Sequence, residues 1–285
     1  MHGKKFYPII PLALAMCIPF SLRLQGGDKN FLDDLFSLRK GPREEERVHK
    51  VLPLKPDGFF SLRNVNGTIS IETWPKNKVE INAVKSTRYG RKRLSWVKID
   101  IESTPSSVSV ETVYPRLKNT RVSVSYTIRV PSGVTLEKVS SVNGNVHLSG
   151  PFGDVKAETT NGKIICNDAS GNIHLSTTNG GIEAFNIRGA MEAKTVNGSL
   201  SLEIKELKND LRASTVNGSI KAQFPGQRQI NAYLSVRTVN GRITCDFPLT
   251  LQNLRMSKRR IEGRIGDGGP EISLRTVNGS VRLER

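Results

Sequence analysis

Apolar and polar residues alternate with a period of two through most of the chain after Phe59. Runs such as VKIDIE, VSVET and VSVSYTIRV show the alternation, which places apolar side chains on one face of a strand. Residues 28–50 differ, because they mix charges with few apolar residues and contain the breaker Gly41-Pro42. The pattern predicts a linker or tether over 28–50 and an all-β protein after it.

An Asn-Gly pair recurs along the second half of the chain. From Asn143 the successive asparagines are 18, 18, 18, 20, 23 and 38 residues apart, and Asn66-Gly67 is an outlying copy. A near-fixed period is typical of stacked repeats. We assign turns to Asn143, Gly144, Asn161, Gly162, Asn179, Gly180, Asn197, Gly198, Asn217, Gly218, Asn240, Gly241, Asn278 and Gly279.

Alignment on the asparagine shows which positions face inward. The third and fifth positions after it and the fourth before it are apolar in every copy, and the second before it is Ser141 and then six threonines. Alternate residues therefore point inward on both sides of the corner. We expect the glycine after each asparagine to supply a positive φ.

Two architectures fit this pattern. Asn-Gly is typical of a type I′ hairpin, which would give an antiparallel meander, whereas a β-solenoid would stack the units as parallel rungs. A meander leaves its apolar face uncovered, and a solenoid also stacks like residues about 4.8 Å apart into ladders. We favour the solenoid of stacked T-x-N-G rungs, and expect Asn143, Asn161, Asn179, Asn197, Asn217 and Asn240 to follow one another in one column.

The N-terminus predicts export. Lys4 and Lys5 precede an apolar stretch over 6–20, the order of a signal peptide, so we expect an extracytoplasmic protein of the periplasm, cell envelope or cell surface. The stretch is short for a spanning helix, and we do not expect lipidation at Cys17, because Met16 fits poorly in a lipobox. The predicted division is 1–27 signal peptide, 28–50 linker, 51–138 β-rich N-terminal module and 139–285 β-repeat solenoid.

The cysteines are expected to stay reduced. Cys166 and Cys245 both lie five residues after their asparagine, in an apolar column. Four rungs between them correspond to roughly 19 Å, too far for a disulfide. We predict two buried free thiols.

The net charge of +17 is spread unevenly, at +3 for residues 1–50, +8 for 51–138, −1 for 139–200 and +7 for 201–285. Basic flanks favour a polyanion, either an acidic envelope glycan or an anionic membrane surface, although a merely solvated surface stays an open alternative. Nucleic acid is not expected, because the basic clusters lack interleaved aromatic residues. The candidate polyanion-binding residues are Arg255, Lys258, Arg259, Arg260, Arg88, Arg91, Lys92 and Arg93.

Catalytic chemistry finds little support. His147 and His174 fall in outward columns of different rungs and are interpreted as solvated strand residues. Glu158 and Glu192 are two rungs and two positions apart, at or beyond the span of an inverting carboxylate pair. We predict no catalytic, cofactor-binding or metal-binding residues, and keep a polysaccharide-active β-helix enzyme as the less favoured alternative.

Several segments resemble a known bacterial family of putative adhesins, also described as β-strand-repeat domains of unknown function. The resemblance is carried by SVNGNVHLSG, KTVNGSLSLEI, YTIRVPSGVTLEKVSSVNG and IGDGGPEISLRTVNGSVRLER, and it covers about residues 55–285. It implies a right-handed β-helix-like fold, usual export and no established catalysis, with no binding residues to transfer. The expected function is a non-catalytic envelope scaffold or adhesin-like protein, with a polyanion-binding module as the alternative.

Overall fold

The computed structural model describes residues 40–116, 119–227, 230–247 and 250–285, with 250–256 described by their backbone alone. Lys40–Arg285 is one compact unit. The predicted signal peptide, Cys17 and residues 28–39 lie outside the described residues. Within the described part, no helix has the length and apolar character needed to cross a membrane.

The described residues confirm an all-β protein, with a single 3-10 helix at Arg91–Trp96. The strands are β1 (Glu44–Pro53), β2 (Phe59–Arg63), β3 (Ile69–Trp74), β4 (Lys78–Thr87), β5 (Lys98–Ser103), β6 (Ser107–Val113), β7 (Ser123–Pro131), β8 (Thr135–Asn143), β9 (Val146–Phe152), β10 (Val155–Asn161), β11 (Ile164–Asn179), β12 (Ile182–Lys194), β13 (Leu200–Glu206), β14 (Leu211–Asn217), β15 (Ile220–Gln223), β16 (Ala232–Asn240), β17 (Ile243–Cys245), β18 (Thr250–Ser257), β19 (Arg260–Ile265), β20 (Glu271–Asn278) and β21 (Val281–Glu284).

Successive units stack in parallel. One rung consists of the two strands that meet at an Asn-Gly corner, and each strand pairs with its equivalent in the next rung. Thr159 pairs with Thr177 of the next rung, whereas a hairpin would pair it with Ile164 of its own rung. The arrangement is therefore solenoid-like, and the meander alternative is wrong.

The order of the rungs departs from the order of the chain at both ends. The rung β2–β3 pairs with β8–β9 on one side and with β6–β7 on the other. At the other end, β20–β21 lies between β14–β15 and β16–β17. The expected succession from Asn217 to Asn240 is wrong, because β20 carries the same inward pattern and occupies that place with Asn278.

Antiparallel strands flank the parallel stack at each end. β5 pairs with β6, β4 with β7 and β1 with β4, and at the other end β19 pairs with β16 and β18 with β19. The predicted linker therefore ends earlier than expected, because Val48 and Leu52 of β1 pack against the core. Residues 51–138 continue the same stack and form no separate compact unit.

The inward columns form one continuous core. Cys166 is fully buried in it and unpaired, as predicted. Cys245 is also free but only half-buried, because β17 is the last strand of its parallel series. The register from Cys166 runs through Ala184, Leu202, Ala222 and Leu283 to Cys245, which makes five steps instead of four, or about 24 Å.

Candidate interaction surface

The Asn-Gly corners are joined by a ladder of side-chain hydrogen bonds. Each asparagine donates from Nδ2 to Oδ1 of the previous one at 2.7–2.8 Å. Beneath it the inward threonines are buried, and each donates to the carbonyl of the previous rung's corner glycine at 2.8–3.0 Å. We call this series the asparagine ladder; its order is Asn66, Asn143, Asn161, Asn179, Asn197, Asn217, Asn278 and Asn240.

The corner glycines are required by close packing. A Cβ on Gly180 would lie 2.0 Å from the carbonyl oxygen of Gly162, and Gly162 stands in the same relation to Gly144 at 2.1 Å. None of the seven glycines from Gly144 to Gly279 that follow the repeat asparagines has a positive φ. The expectation of positive φ at this corner is therefore wrong. Positive φ occurs instead at Gly171 and Gly189, which lie eight residues before Asn179 and Asn197.

The outward position three residues before each asparagine forms a row across the stack. Through the middle it holds Ser140, Glu158, Ser176 and Lys194 in successive rungs. Beyond Ser214, the displaced order of the last rungs brings three exposed arginines side by side on neighbouring strands. We call these the arginine row: Arg275, Arg237 and Arg260.

The eight predicted polyanion-binding residues fall into two separate groups. Lys258, Arg259 and Arg260 are exposed at the β18–β19 hairpin, and the backbone of Arg255 lies opposite Glu262. The others are in and beside the 3-10 helix at the opposite end: Arg88, Arg91, Lys92 and Arg93. Ten strand steps from β5 to β19, about 48 Å, separate the two groups, so a short ligand cannot bridge them.

The group around the 3-10 helix contains aromatic rings after all. The guanidinium carbon of Arg121 lies 4.5 Å from the ring centre of Tyr89, and that of Arg93 lies 5.7 Å from Tyr89 and 5.5 Å from Trp96. These are cation–π distances. The prediction that aromatic residues are missing here is wrong, because Tyr89 and Trp96 lie in the same stretch of sequence as the basic residues. Only the contact with Arg121 depends on the pairing of β4 with β7.

A second outward position, directly before each asparagine, is apolar in several rungs. It holds Val142, then Thr160 and Thr178, and then a run of valines in the last four parallel rungs. These valines are 38–45% exposed, although the rest of the solvent-facing stack is mostly polar. We call the run the valine column: Val196, Val216, Val277 and Val239.

His174 is part of a hydrogen-bonded pair. Its Nδ1 lies 2.8 Å from Oε2 of Glu192, beside a cleft of about 520 Å³ that Asp210 and Arg212 also line. Hydrogen bonds from Lys194 and His174 lower the pKa of Glu192. The side chain of His174 is only 35% exposed, so the prediction of a simply solvated residue missed its partner. Glu192 is the residue that lies opposite His174 when the two rungs are aligned on their asparagines.

The chemistry at the outward carboxylates is ion pairing. Glu158 lies 3.5 Å from both Lys138 and Lys156, and Glu183 lies 2.6 Å from Lys163. In the part of the chain that the structure describes, no cluster of three or more His, Cys, Asp and Glu could hold a metal ion.

Comparison with solved structures gives distant likenesses. The chain is similar to a putative adhesin from Bacteroides fragilis NCTC 9343, with 13% identity, a TM-score of 0.48, and coverage of 84% of this chain and 97% of that chain. It is also similar to a putative cell adhesion protein from Clostridium sporogenes ATCC 15579, at 11% identity, TM-score 0.34 and coverage of 84% and 99%. A putative adhesin from Parabacteroides distasonis ATCC 8503 gives 10% identity, TM-score 0.36 and coverage of 84% and 97%.

No curated protein matches the chain. The model of one protein family, Toastrack DUF4097, matches residues 52–284, a span that includes every rung and both sets of flanking strands except the first eight residues of β1. This agrees with the resemblance to a family of domains of unknown function. The chain belongs to the Toastrack DUF4097 family.

Proposed function

We propose that this chain is an exported, non-catalytic scaffold of the bacterial cell envelope, adhesin-like in role and built from stacked T-x-N-G rungs. The observation that supports the proposal is the unbroken asparagine ladder, which runs from Asn66 to Asn240 over a single core. Rungs that share a core and a ladder hold their outward side chains at a fixed spacing of about 4.8 Å. Such a stack presents a regular surface to a partner.

Export is supported by the N-terminal order of Lys4, Lys5 and the apolar stretch over 6–20. We expect cleavage between Ala15 and Gly27. N-terminal sequencing of protein recovered from fractionated cells tests this. Recovery of Met1 on soluble cytoplasmic protein would contradict the proposed location.

The absence of catalysis is supported by the ion pairs that engage Glu158, Glu183 and Glu192. We expect no reducing sugar or unsaturated product when the purified chain is incubated with acidic polysaccharides. Product release that disappears in Glu192→Gln would replace the scaffold with a glycan-active enzyme at the His174–Glu192 cleft.

A second candidate function, polyanion binding, is favoured by the arginine row and the adjacent Lys258 and Arg259. Each exposed contact would contribute about 1 kcal/mol or less and would be screened by salt. The test is retention on immobilised acidic glycan and on anionic vesicles at low and high salt. Serine at Arg255, Lys258, Arg259 and Arg260 should weaken retention at unchanged thermal stability.

The matched control removes the same number of cations from the opposite end, as serine at Arg88, Arg91, Lys92 and Arg93. If both variants lose retention equally, net charge and not the hairpin end is responsible. If neither variant loses retention, the basic residues are solvated surface only.

A further inference from the structure

We infer that the edge formed by the valine column and its flanking cations lies on an anionic membrane surface. The inference rests on the proposed extracytoplasmic location and assigns a ligand to the basic end of the stack. Its basis is a change at two outward positions of the rung, the one directly before the asparagine and the one three residues before it.

The two positions change character at the same rung. Where the position before the asparagine is Thr160 or Thr178, the position two residues earlier is Glu158 or Ser176. From the next rung onward the first position becomes valine, and the second carries no carboxylate among the described rungs. It reads Lys194, Ser214, Arg275 and Arg237 in spatial order. Arg260 of the flanking strand β19 lies opposite Arg237 and is ion-paired with Glu262 at 2.6 Å.

The cations and the valines face the same solvent. Residues two apart on a strand share a face and lie about 7 Å apart, so Arg275 and Arg237 stand beside Val277 and Val239. The edge therefore has an apolar strip with a basic row along one side.

The same edge is basic at its end. The backbone amide of Thr238 donates to the carbonyl of Arg259 at 2.9 Å, and that of Ile243 donates to the carbonyl of Lys258 at 3.3 Å. The hairpin turn thus closes over the last corner and places exposed Lys258 and Arg259 there, with exposed Arg242 just beyond Asn240.

An anionic bilayer surface is the partner that uses both features. Basic side chains bind anionic headgroups, and apolar side chains enter the boundary between headgroups and acyl chains. A linear acidic glycan would use the cations but gain nothing from the valines. A second copy of the chain would set one arginine row against another, which like-charge repulsion opposes. The combination therefore favours the bilayer.

The chain supplies a matched set of variants. Thr160 and Thr178 occupy the equivalent position in the middle rungs. Threonine in place of all four residues of the valine column therefore keeps a β-branched residue that the corner accepts. Val142→Thr changes an equally exposed valine outside the column, at 42% exposure, and serves as the control. The double substitution Thr160→Val and Thr178→Val would extend the column through the middle rungs.

The experiment is co-sedimentation of the full mature chain with vesicles of equimolar phosphatidylglycerol and phosphatidylcholine, with phosphatidylcholine vesicles and immobilised polygalacturonate as parallel arms. We expect binding to the anionic vesicles alone among the vesicles, weakened roughly tenfold by the four threonines and by serine at Arg237 and Arg275. Val142→Thr should leave binding unchanged, and Thr160→Val with Thr178→Val should strengthen it.

Several outcomes would overturn the inference. They are vesicle binding that is equal in wild type and the four-threonine variant, binding to polygalacturonate alone, or concentration-dependent self-association that the threonines abolish without any vesicle binding. If the four-threonine variant does not fold, the Thr160→Val and Thr178→Val gain decides, and no gain counts against the membrane. Export is scored separately by the mature N-terminus, so failure of the inference and failure of the proposed location can be told apart.

Discussion

The middle rungs and the C-terminal rungs follow the same inward pattern and differ in their outward residues. Both bury a threonine under the corner and an apolar residue on each side of it. Outside, the middle mixes carboxylates, lysines and serines with a net charge of −1 for residues 139–200, whereas residues 201–285 carry +7. The inward columns determine the fold, and the outward columns are free to specialise without disturbing it.

The two regions also differ in rung order. The middle follows the chain, but the C-terminal end places β20 between β14 and β16. Arg275 and Arg237 thereby become neighbours although 38 residues separate them. A local surface in a repeat protein can thus be composed of segments that are distant in sequence.

The largest expected effect is at the corner glycine of a middle rung. Gly180→Ala would place a Cβ 2.0 Å from the Gly162 carbonyl oxygen, and neighbouring rungs on both sides prevent relief. We expect a loss of about 3 kcal/mol in the free energy of unfolding, measured by chemical denaturation. Gly241→Ala makes an equally close contact, at 1.9 Å, but should cost less because its rung is the last of the parallel stack and can shift.

The control is Gly41→Ala, whose Cβ would meet its nearest atom at an ordinary 3.6 Å. It should change stability by about 0.5 kcal/mol or less. Equal losses for Gly180→Ala and Gly241→Ala would show that end rungs are held as firmly as middle ones.

Substitutions in the asparagine ladder should also cost more stability in a middle rung than in the last rung, with smaller losses than at the glycines. Asn179 donates to Asn161 and accepts from Asn197, whereas Asn240 only donates, to Asn278, among the ladder contacts of the described chain. Asn179→Ala should cost about 1–2 kcal/mol and Asn240→Ala about half as much. Thermal denaturation of both variants measures the difference, and a larger loss at Asn240 would contradict the ladder as a chain of equal bonds.

The two thiols differ in burial, because Cys166 lies in a middle rung and Cys245 in the last one. Burial raises the pKa of Cys166 from 9.0 to about 12, so above pH 9 the unfolded thiol ionises while the folded one stays protonated. Its contribution to stability is complete below that pH and is lost as pH rises, by about 1.4 kcal/mol near pH 10. Cys166→Ala, which copies Ala184 of the next rung, should remove this dependence in denaturation curves.

Thiol labelling of the native chain gives the matching control. Half-buried Cys245 should react slowly and Cys166 only after unfolding. Equal native reactivity of the two thiols would mean that the middle rungs open as readily as the last one.

The sequence predicted what depends on local periodicity and missed what depends on which rungs meet. Parallel stacking, the inward columns and the free thiols follow from alignment on asparagine. The place of Asn278 did not, because β20 and β16 carry the same inward pattern and only tertiary packing chooses between them. Two further features were not predicted. The close approach of Gly180 to Gly162 depends on the distance between rungs, which the sequence does not give. The exposed valines were overlooked because their position faces solvent.

The smallest expected effect is a change in the free energy of unfolding that has opposite signs in the C-terminal and the middle rungs. On one side of Arg237, Arg260 is ion-paired with Glu262 at 2.6 Å. On the other side Arg275 lies directly opposite Arg237, and like charges directly opposite on neighbouring strands destabilise a sheet. Arg237→Ser should therefore raise the free energy of unfolding by about 0.5 kcal/mol at low salt and by nothing measurable in high salt. Lys194→Ser in the middle should lower it by a similar amount at low salt, because Lys194 pairs with Glu192. Serine is native to this row at Ser214, so neither change disturbs the backbone, and denaturation at two salt concentrations measures both. If the two variants shifted stability in the same direction at low salt, the arginine row would not be under repulsion, and an acidic ligand would relieve no strain by binding there.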